Sequence, residues 1–212
     1  MQSSIVDITA YGLFWLMFGL THSIMASEKF KAPWRRFLGP LAYCERLIYN
    51  GISMVAIAAV FTYANENLAM EPLFQPQGVI KWLFWLLQGL GFVLLIWSLS
   101  TYDLLRFAGL RQIYAGITKQ KIAPEPLVIS KLHCFVRHPI YSSVLLLLWF
   151  RPQNEAMFIT NIFATLYLFI GMSWEDKRLK ALYGEDYQQY CQAVPAIVPH
   201  PKRRWQAKAT EK

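Results

Sequence analysis

The chain has 212 residues, of which 55% are hydrophobic and 16% are charged, and it carries a formal net charge of +8. The hydrophobic fraction lies above the roughly 45–50% that is usual for globular domains, which excludes a disordered or fibrous protein. The charged residues are placed so unevenly that they leave several long uncharged stretches, and these stretches indicate the class of protein.

Four of the uncharged stretches have the length of a membrane-spanning helix. They cover residues 8–27, 47–65, 82–102 and 156–174. A helix needs about 20 apolar residues to cross a hydrocarbon core of about 30 Å. A fifth stretch, 139–150, has only 12 residues, a length that fits a buried or partly inserted helix as well as a full crossing. The sequence therefore predicts an integral, all-α, polytopic membrane protein.

The basic residues predict the orientation of these helices. Of the 21 lysines and arginines, all but Lys81 and Arg151 fall in segments that would share one side of the membrane. Cytosolic loops carry an excess of Lys and Arg, so this side is predicted to be the cytosol. The N-terminus is then outside and the C-terminus inside. An odd number of crossings is required, so the 12-residue stretch is predicted to cross as the fourth of five transmembrane helices.

Two segments, 103–138 and 175–212, hold almost all of the predicted cytosolic mass. Each is too small to form a core of its own, so we expect them to pack on each other as a cytosolic cap within a single domain, 1–212. The excess positive charge is explained by topology and by contact with anionic lipid, and no nucleic-acid partner is predicted.

The first candidate site motif is Arg137-His138-Pro139. Proline is well suited to the first turn of a helix, so Pro139 is predicted to open the fourth helix, with Arg137 and His138 at its cytosolic end. The free N–H groups and the positive end of the helix dipole there favour an anion such as a carboxylate. The alternative interpretation is that Arg137 and His138 only anchor the helix at the interface. His133 and His138 lack ligand-spaced partners, so no metal site is predicted.

The second candidate motif is the acid pair Glu175-Asp176 at the cytosolic end of the last crossing. These acids either begin a new helix, continue the old one out of the membrane, or hold a cation. Tyr187 belongs to a group of aromatic residues that follows at helical spacing and is interrupted by Gly184, a predicted helix end. These aromatics are either core residues or the floor of a nucleoside pocket. Together the two motifs would suit a ligand that carries both a carboxylate and fixed positive charge.

These residues resemble a known family. The pattern is similar to the isoprenylcysteine carboxyl methyltransferase and phospholipid methyltransferase superfamily of membrane enzymes, and it covers roughly the C-terminal half. It consists of Arg137-His138-Pro139-Ile140-Tyr141, a transmembrane hairpin, Glu175-Asp176, Tyr183-Gly184-Glu185-Asp186-Tyr187, Val194-Pro195 and Val198-Pro199. Upstream, Thr21-His22-Ser23 and Phe107-Ala108-Gly109-Leu110-Arg111-Gln112 resemble the bacterial methanethiol S-methyltransferase branch, which implies a bacterial inner membrane.

The resemblance implies S-adenosylmethionine as methyl donor. The predicted donor-binding residues are His138, Pro139, Tyr141, Glu175, Asp176 and Tyr187. The donor carboxylate is assigned to His138 or Arg137 and its ammonium to Glu175. Arg137 and Arg111 are predicted to act at the reaction, by raising the thiolate fraction of a thiol acceptor.

The acceptor stays open at this point. Small thiols, prenylated cysteine carboxylates and phospholipid amines would all enter a cavity beside lipid, with a small or lipophilic thiol favoured by the upstream resemblance. Two other classes of protein are also compatible with the membrane spans. One is a nicotinamide-dependent membrane reductase of related fold, and the other is a non-catalytic membrane protein.

Overall fold

The computed structural model of the protein describes residues 2–123 and 129–205. The description leaves out residues 1, 124–128 and 206–212 of the predicted domain. Parts of both predicted cytosolic segments are therefore outside the described residues. The described chain is mostly helical. Its α-helices are α1 Ile5–Ala26, α2 Glu28–Leu38, α3 Glu45–Asn67, α4 Gly78–Leu99, α5 Leu104–Ala108, α6 Leu110–Thr118, α7 Pro139–Trp149 and α8 Glu155–Ala193. Short 3-10 helices occupy Gly39–Cys44 and Leu132–Cys134.

Each predicted span lies on a helix, but several bounds differ. The helix α1 begins at Ile5 because the Ser4 hydroxyl accepts the backbone N–H of Asp7 at 3.1 Å, a side-chain cap that precedes the apolar stretch. The helix α4 ends at Leu99, before the predicted end at 102. The helix α8 extends beyond the predicted span 156–174 and, with an interruption at Gly184, reaches Ala193. The acid pair continues this helix and does not begin a new one.

Apolar length identifies the membrane-crossing segments. Within residues 2–123 and 129–205, four helical segments are long and apolar enough to cross a membrane: Ile5–Ala26, Glu28–Asn67, Gly78–Leu99 and Glu155–Ala193. The helix Pro139–Trp149 is apolar but shorter. Large hydrophobic side chains on α4, such as Val79, Trp82 and Leu86, are more than half exposed, as expected of a surface that faces lipid. The protein is therefore an integral membrane protein.

A small antiparallel sheet was not anticipated from the sequence. The strands β1 Pro72–Phe74 and β2 Gln153–Asn154 pair with Pro72 opposite Asn154 and Phe74 opposite Gln153. The backbone N–H of Glu155 continues this contact by donating to the carbonyl of Glu71 at 3.1 Å. Strands this short leave no periodic signal, because pairing between distant segments produces them.

The described chain divides into two compact units. The first comprises residues 2–75, 102–123 and 153–163, and the second comprises 76–101, 129–152 and 164–205. In the first unit, the buried Tyr11 ring stacks on Tyr63 with the ring centroids 6.3 Å apart, and its hydroxyl shares a 2.9 Å hydrogen bond with Thr160. This contact joins α1 to α3 and to the start of α8.

In the second unit, α4 packs closely on α7. A Cβ placed on Gly91 would lie 3.0 Å from Leu146 Cβ and 3.2 Å from the carbonyl oxygen of Ser143. The C-terminal part of the unit has its own core of Tyr187, Tyr190 and Val194, all buried. Gly184, with φ 57 and ψ −133, interrupts α8 just before this core, as predicted. An L side chain is strained at that φ, so glycine suits the position.

Candidate functional site

The start of α7 forms one wall of the candidate site. Pro139 is the first residue of the helix, as predicted. The backbone N–H of Arg137 donates to the carbonyl of Pro195 at 2.9 Å, and that of His138 donates to the carbonyl of Ala196 at 3.0 Å. Pro195 and Pro199 cannot continue a helix, so the chain beyond α8 leaves helical geometry and lies along the start of α7.

Asp176 lies at the centre of the site. Its carboxylate accepts hydrogen bonds from Arg137 Nη2 at 2.7 Å, from His138 Nε2 at 3.0 Å and from the Tyr187 hydroxyl at 2.7 Å. Asp176 lies beyond the uncharged stretch 156–174 of α8. Burial alone would raise its pKa, but the three hydrogen bonds hold the pKa well below its usual range. The carboxylate is therefore ionised, and its hydrogen-bonding capacity is largely used.

His138 faces a carboxylate on each side of its ring. Nε2 contacts Asp176, while Nδ1 lies 3.5 Å from Oε2 of Glu175. Burial alone would lower the pKa of His138, but the hydrogen bonds and charges of Asp176 and Glu175 outweigh it, and the pKa is raised. With an acceptor at each nitrogen, the ring suits the doubly protonated, cationic form. The ring of Tyr141 packs edge-on against it, with the centroids 5.3 Å apart.

Glu175 is the most accessible of the four charged side chains. Its side chain is 34% exposed, against 15% for Asp176, 13% for Arg137 and 3% for His138. Burial by itself would raise the pKa of Glu175, but His138 and the Tyr141 hydroxyl outweigh it, and the pKa is lowered. Glu175 is thus an ionised carboxylate that remains partly exposed to solvent.

Arg137 connects the end of α8 to the start of α7. Besides Asp176, it donates through Nη1 to the carbonyls of Cys191, at 3.2 Å, and Val194, at 2.7 Å. Its buried Nε has no hydrogen-bond partner within the described residues. Any anion that binds Arg137 must therefore share the guanidinium with Asp176.

Tyr187 combines a core position with a polar contact. Its ring is buried beside Tyr190 and Val194, so Tyr187 and Tyr190 are core residues in this structure. Tyr190 donates through its hydroxyl to the carbonyl of His133 at 2.7 Å, and this bond holds the short 3-10 helix before α7 against the same core. Only the hydroxyl of Tyr187 reaches the charged residues.

The second unit brings together seven of the eight predicted site residues. They are Arg137, His138, Pro139, Tyr141, Glu175, Asp176 and Tyr187. Arg111 belongs to the first unit, where its Nε lies 2.7 Å from Oδ2 of Asp103 and its side chain is 59% exposed.

The sequence did not reveal that the two motifs neutralise each other directly, with no gap for a ligand between Arg137 and Asp176. It also did not reveal that the backbone carbonyls of Cys191, Val194, Pro195 and Ala196 accept hydrogen bonds from Arg137 and His138. The prolines after α8 were the available signal for that contact.

The fold and the site define a class of protein: an integral membrane protein, mostly helical, with a buried cluster of opposite charges where α7 begins and the apolar part of α8 ends. Among the described residues, no group of three His, Cys, Asp or Glu side chains could hold a metal ion.

Comparison with known proteins narrows this class. The chain is 33% identical over 195 residues to a methanethiol S-methyltransferase of Pseudomonas sp., which covers 86% of this chain and 70% of that protein. It is 28% identical over 206 residues to the methanethiol S-methyltransferase of Crocosphaera subtropica, covering 92% and 74%. It is also 26% identical over 178 residues to Nurim of Mus musculus, covering 79% and 66%.

No known family profile and no solved structure matches the chain. The identity to the relatives and the share of each chain that is covered are nevertheless sufficient to assign the family. The chain belongs to the family of integral membrane methyltransferases related to isoprenylcysteine carboxyl methyltransferase. The family predicted from the sequence is thereby confirmed.

Proposed function

We propose that this protein transfers a methyl group from S-adenosylmethionine to a small thiol at the cytosolic face of the membrane. The observation that carries the proposal is the 33% identity, over most of both chains, to a protein named methanethiol S-methyltransferase. Small thiols partition readily beside lipid, and their pKa near 8.5 leaves a usable thiolate fraction at neutral pH.

The charged cluster fits the polarity of the proposed donor. S-adenosylmethionine has a carboxylate, an ammonium and a sulfonium group. Asp176 already accepts hydrogen bonds from three donors, so the more exposed Glu175 is the acid that we assign to the ammonium. The buried Nε of Arg137, which has no partner among the described residues, is the donor that we assign to the carboxylate. The two nitrogens of His138 already face Asp176 and Glu175, so its ring would contribute positive charge and not a free N–H. Pro139, Tyr141 and Tyr187 would shape the walls, and Asp176 would act by orienting Arg137 and His138.

When bound, S-adenosylmethionine supplies a sulfonium methyl group, and the acceptor sulfur forms a bond to this carbon as the carbon–sulfonium bond breaks, while the thiol proton passes to water. Positioning the acceptor in line supplies much of the acceleration. A water-poor site strengthens the attraction between a thiolate and a sulfonium. We retain the prediction that Arg137 and Arg111 raise the thiolate fraction.

We further propose five membrane crossings, with the N-terminus outside, the C-terminus and cap in the cytosol, and the chain in a bacterial inner membrane. The pairing of β1 with β2 supports this number, because it requires residues 72–74 and 153–154 to share one side of the membrane. The chain between them must therefore cross an even number of times. The helix α4 supplies one crossing, so the shorter α7 supplies the other.

The function is tested with purified protein, labelled S-adenosylmethionine and a panel of acceptors. We expect methanethiol to be methylated in preference to a prenylated cysteine and to phosphatidylethanolamine. We expect Glu175→Gln to weaken donor binding by roughly 10- to 100-fold, because a hydrogen bond between charged groups is lost, whereas Glu185→Gln, an exposed acid on the same helix, leaves donor binding unchanged. Calorimetry measures both affinities.

The results distinguish three outcomes. Binding of a nicotinamide cofactor without any binding of S-adenosylmethionine would favour the reductase alternative. Binding of neither cofactor would favour a non-catalytic membrane protein. Unaltered donor affinity in Glu175→Gln, with methanethiol still methylated, would reject only the assignment of the ammonium.

A further inference from the structure

The segment that contains α5 and α6 is held firmly on one face. Gly109, between the two helices, has φ 94, and a Cβ there would lie 2.8 Å from the backbone N of Leu47. Asn50 Nδ2 donates to the carbonyls of Phe107, at 3.0 Å, and Ala108, at 3.1 Å. Gly116 of α6 packs against the ring of Tyr43 so closely that no larger side chain would fit. The segment is therefore fixed at the N-terminal end of α3, a helix that belongs to a membrane-crossing segment.

The opposite face of the segment is apolar and uncovered. Leu110, Tyr114 and Ile117 follow one another at helical spacing on α6 and are 47%, 63% and 68% exposed. They lie outside every predicted membrane span. A cleft of about 600 Å³ opens beside them, lined by Leu105, Arg106, Leu110, Arg111, Tyr114 and Lys121, among others. An apolar face that is fixed in place next to the end of a membrane-crossing segment is well placed to contact the bilayer.

The charges around this face are mostly positive. Residues 102–123 contain four basic residues and a single acid, Asp103. That acid is already engaged, because it pairs with Arg111 and caps α5 by accepting the backbone N–H of Arg106 at 3.0 Å. Lys119 and Lys121, just after α6, have no carboxylate within salt-bridge distance in the described part of the chain. An apolar cleft beside lysines that have no carboxylate partner among residues 2–123 and 129–205 suits a ligand that is both hydrophobic and anionic.

We propose that the face formed by α5, α6 and residues 119–121 binds an anionic phospholipid of the surrounding bilayer. The headgroup phosphate lies against Lys119 and Lys121, and an acyl chain lies along Leu110 and Tyr114. Arg111, which the methyl-transfer proposal also uses, lines the same cleft. The proposed lipid contacts of Lys119, Lys121, Leu110 and Tyr114 are not part of that proposal and require no donor or acceptor.

The test compares purified protein in nanodiscs of phosphatidylcholine alone with nanodiscs that also contain phosphatidylglycerol. We expect phosphatidylglycerol to raise the thermal midpoint of the wild-type protein, and native mass spectrometry in detergent to show one retained phosphatidylglycerol. Each lysine near an anionic headgroup is worth about a fivefold change in affinity. The double variant Lys119→Gln/Lys121→Gln should therefore lose most of the thermal shift and of the retained lipid, and Tyr114→Gln should lose part of the retained lipid.

The matched control is Lys180→Gln/Lys202→Gln, which removes the same charge from two exposed lysines of the second unit. It should keep the wild-type response, and both double variants should keep the wild-type midpoint in phosphatidylcholine alone. Equal losses in the two double variants would overturn the proposal, because the effect would then be general surface charge. An equal shift with inorganic phosphate would also overturn it, because the ligand would then be a free anion.

Discussion

Asp176 and Arg137 show how single residues connect the two ends of the candidate site. Arg137 has a side chain that is only 13% exposed, and its charge is balanced by Asp176 at 2.7 Å. Removing one partner of a buried ion pair leaves the other charge uncompensated, at a cost on the order of 3 kcal/mol. Asp176 is therefore expected to stabilise the packing of the start of α7 against the C-terminal part of α8, whatever its contact with a donor.

The substitution Asp176→Asn tests this role. We expect it to lower the thermal midpoint of the detergent-purified protein by roughly 5–10 °C, because the positive charge of Arg137 is then buried without a carboxylate. Asp186→Asn, an exposed acid on the same helix, should leave the midpoint nearly unchanged. Tryptophan fluorescence during heating measures both, and equal midpoints for the two variants would contradict the stabilising role.

The dependence of stability on pH follows from His138. Its pKa is raised in the folded protein, so its contribution to stability is fully present below its ordinary pKa of 6.5 and is lost as the pH rises through the higher folded value. The pKa of Asp176 is lowered, so its contribution is present above 3.8 and is lost at lower pH. We expect the wild-type thermal midpoint to decline above pH 6.5 and His138→Gln to remove most of this decline. His200→Gln, an exposed histidine, is the control, and an unchanged decline in His138→Gln would count against the cationic ring.

At the scale of helices, the position of α7 depends on how closely α4 approaches it. Gly91 of α4 faces the Cβ of Leu146 and the backbone carbonyl of Ser143. A backbone oxygen cannot rotate away as a flexible side chain can. Small residues permit such close approach between membrane helices, where packing rather than the hydrophobic effect drives association. Since Pro139, at the start of α7, positions Arg137 and His138, this packing also bears on the geometry of the charged cluster.

Two glycines on α4 allow a matched test of this packing. We expect Gly91→Ala to destabilise the protein by roughly 1–3 kcal/mol, because the added methyl group overpacks the contact with α7. Gly89→Ala, two residues away on the same helix, has no atom within 4 Å of the new methyl group and should be neutral or slightly stabilising. Thermal midpoints in detergent measure the difference, and similar midpoints for the two variants would show that the contact is not tight.

For the whole molecule, charge and sheet pairing provide independent arguments for the same topology. The charge asymmetry supports the proposed orientation, since only Lys81 and Arg151 would lie on the non-cytosolic side. The pairing of β1, which precedes Lys81, with β2, which follows Arg151, supports placing both segments on one side of the membrane. Both arguments support the proposed five crossings, although they rest on different residues.

Single cysteines at exposed positions test this topology. In a background in which Cys44, Cys134 and Cys191 are replaced by Ser, we expect a membrane-impermeant maleimide to label Gln75→Cys in intact cells and to leave Lys202→Cys unlabelled until the cells are opened. Gln75 and Lys202 are both exposed. Labelling of both residues in intact cells would contradict the odd number of crossings, and the reverse pattern would contradict the orientation.

The sequence by itself determined the class of protein and the four long apolar helices, and it predicted the residues of the candidate site. A membrane crossing needs a continuous apolar stretch, and the charges that interrupt it are visible one residue at a time, so 8–27 and 82–102 could be recognised without any contact. The motif around Pro139 and the acid pair could likewise be read locally, as could the interruption of α8 at Gly184. The family followed from these motifs.

Only the tertiary structure decided how these residues pair. Sequence reasoning placed a ligand between Arg137 and Asp176, whereas the structure joins their side chains directly and leaves Glu175 as the more accessible acid. It also paired Arg111 with Asp103 and formed the sheet of β1 and β2. The physical reason is the same in each case. A charge or a backbone group is satisfied by whichever partner folding brings within about 3 Å, and separation along the chain carries little information about that distance.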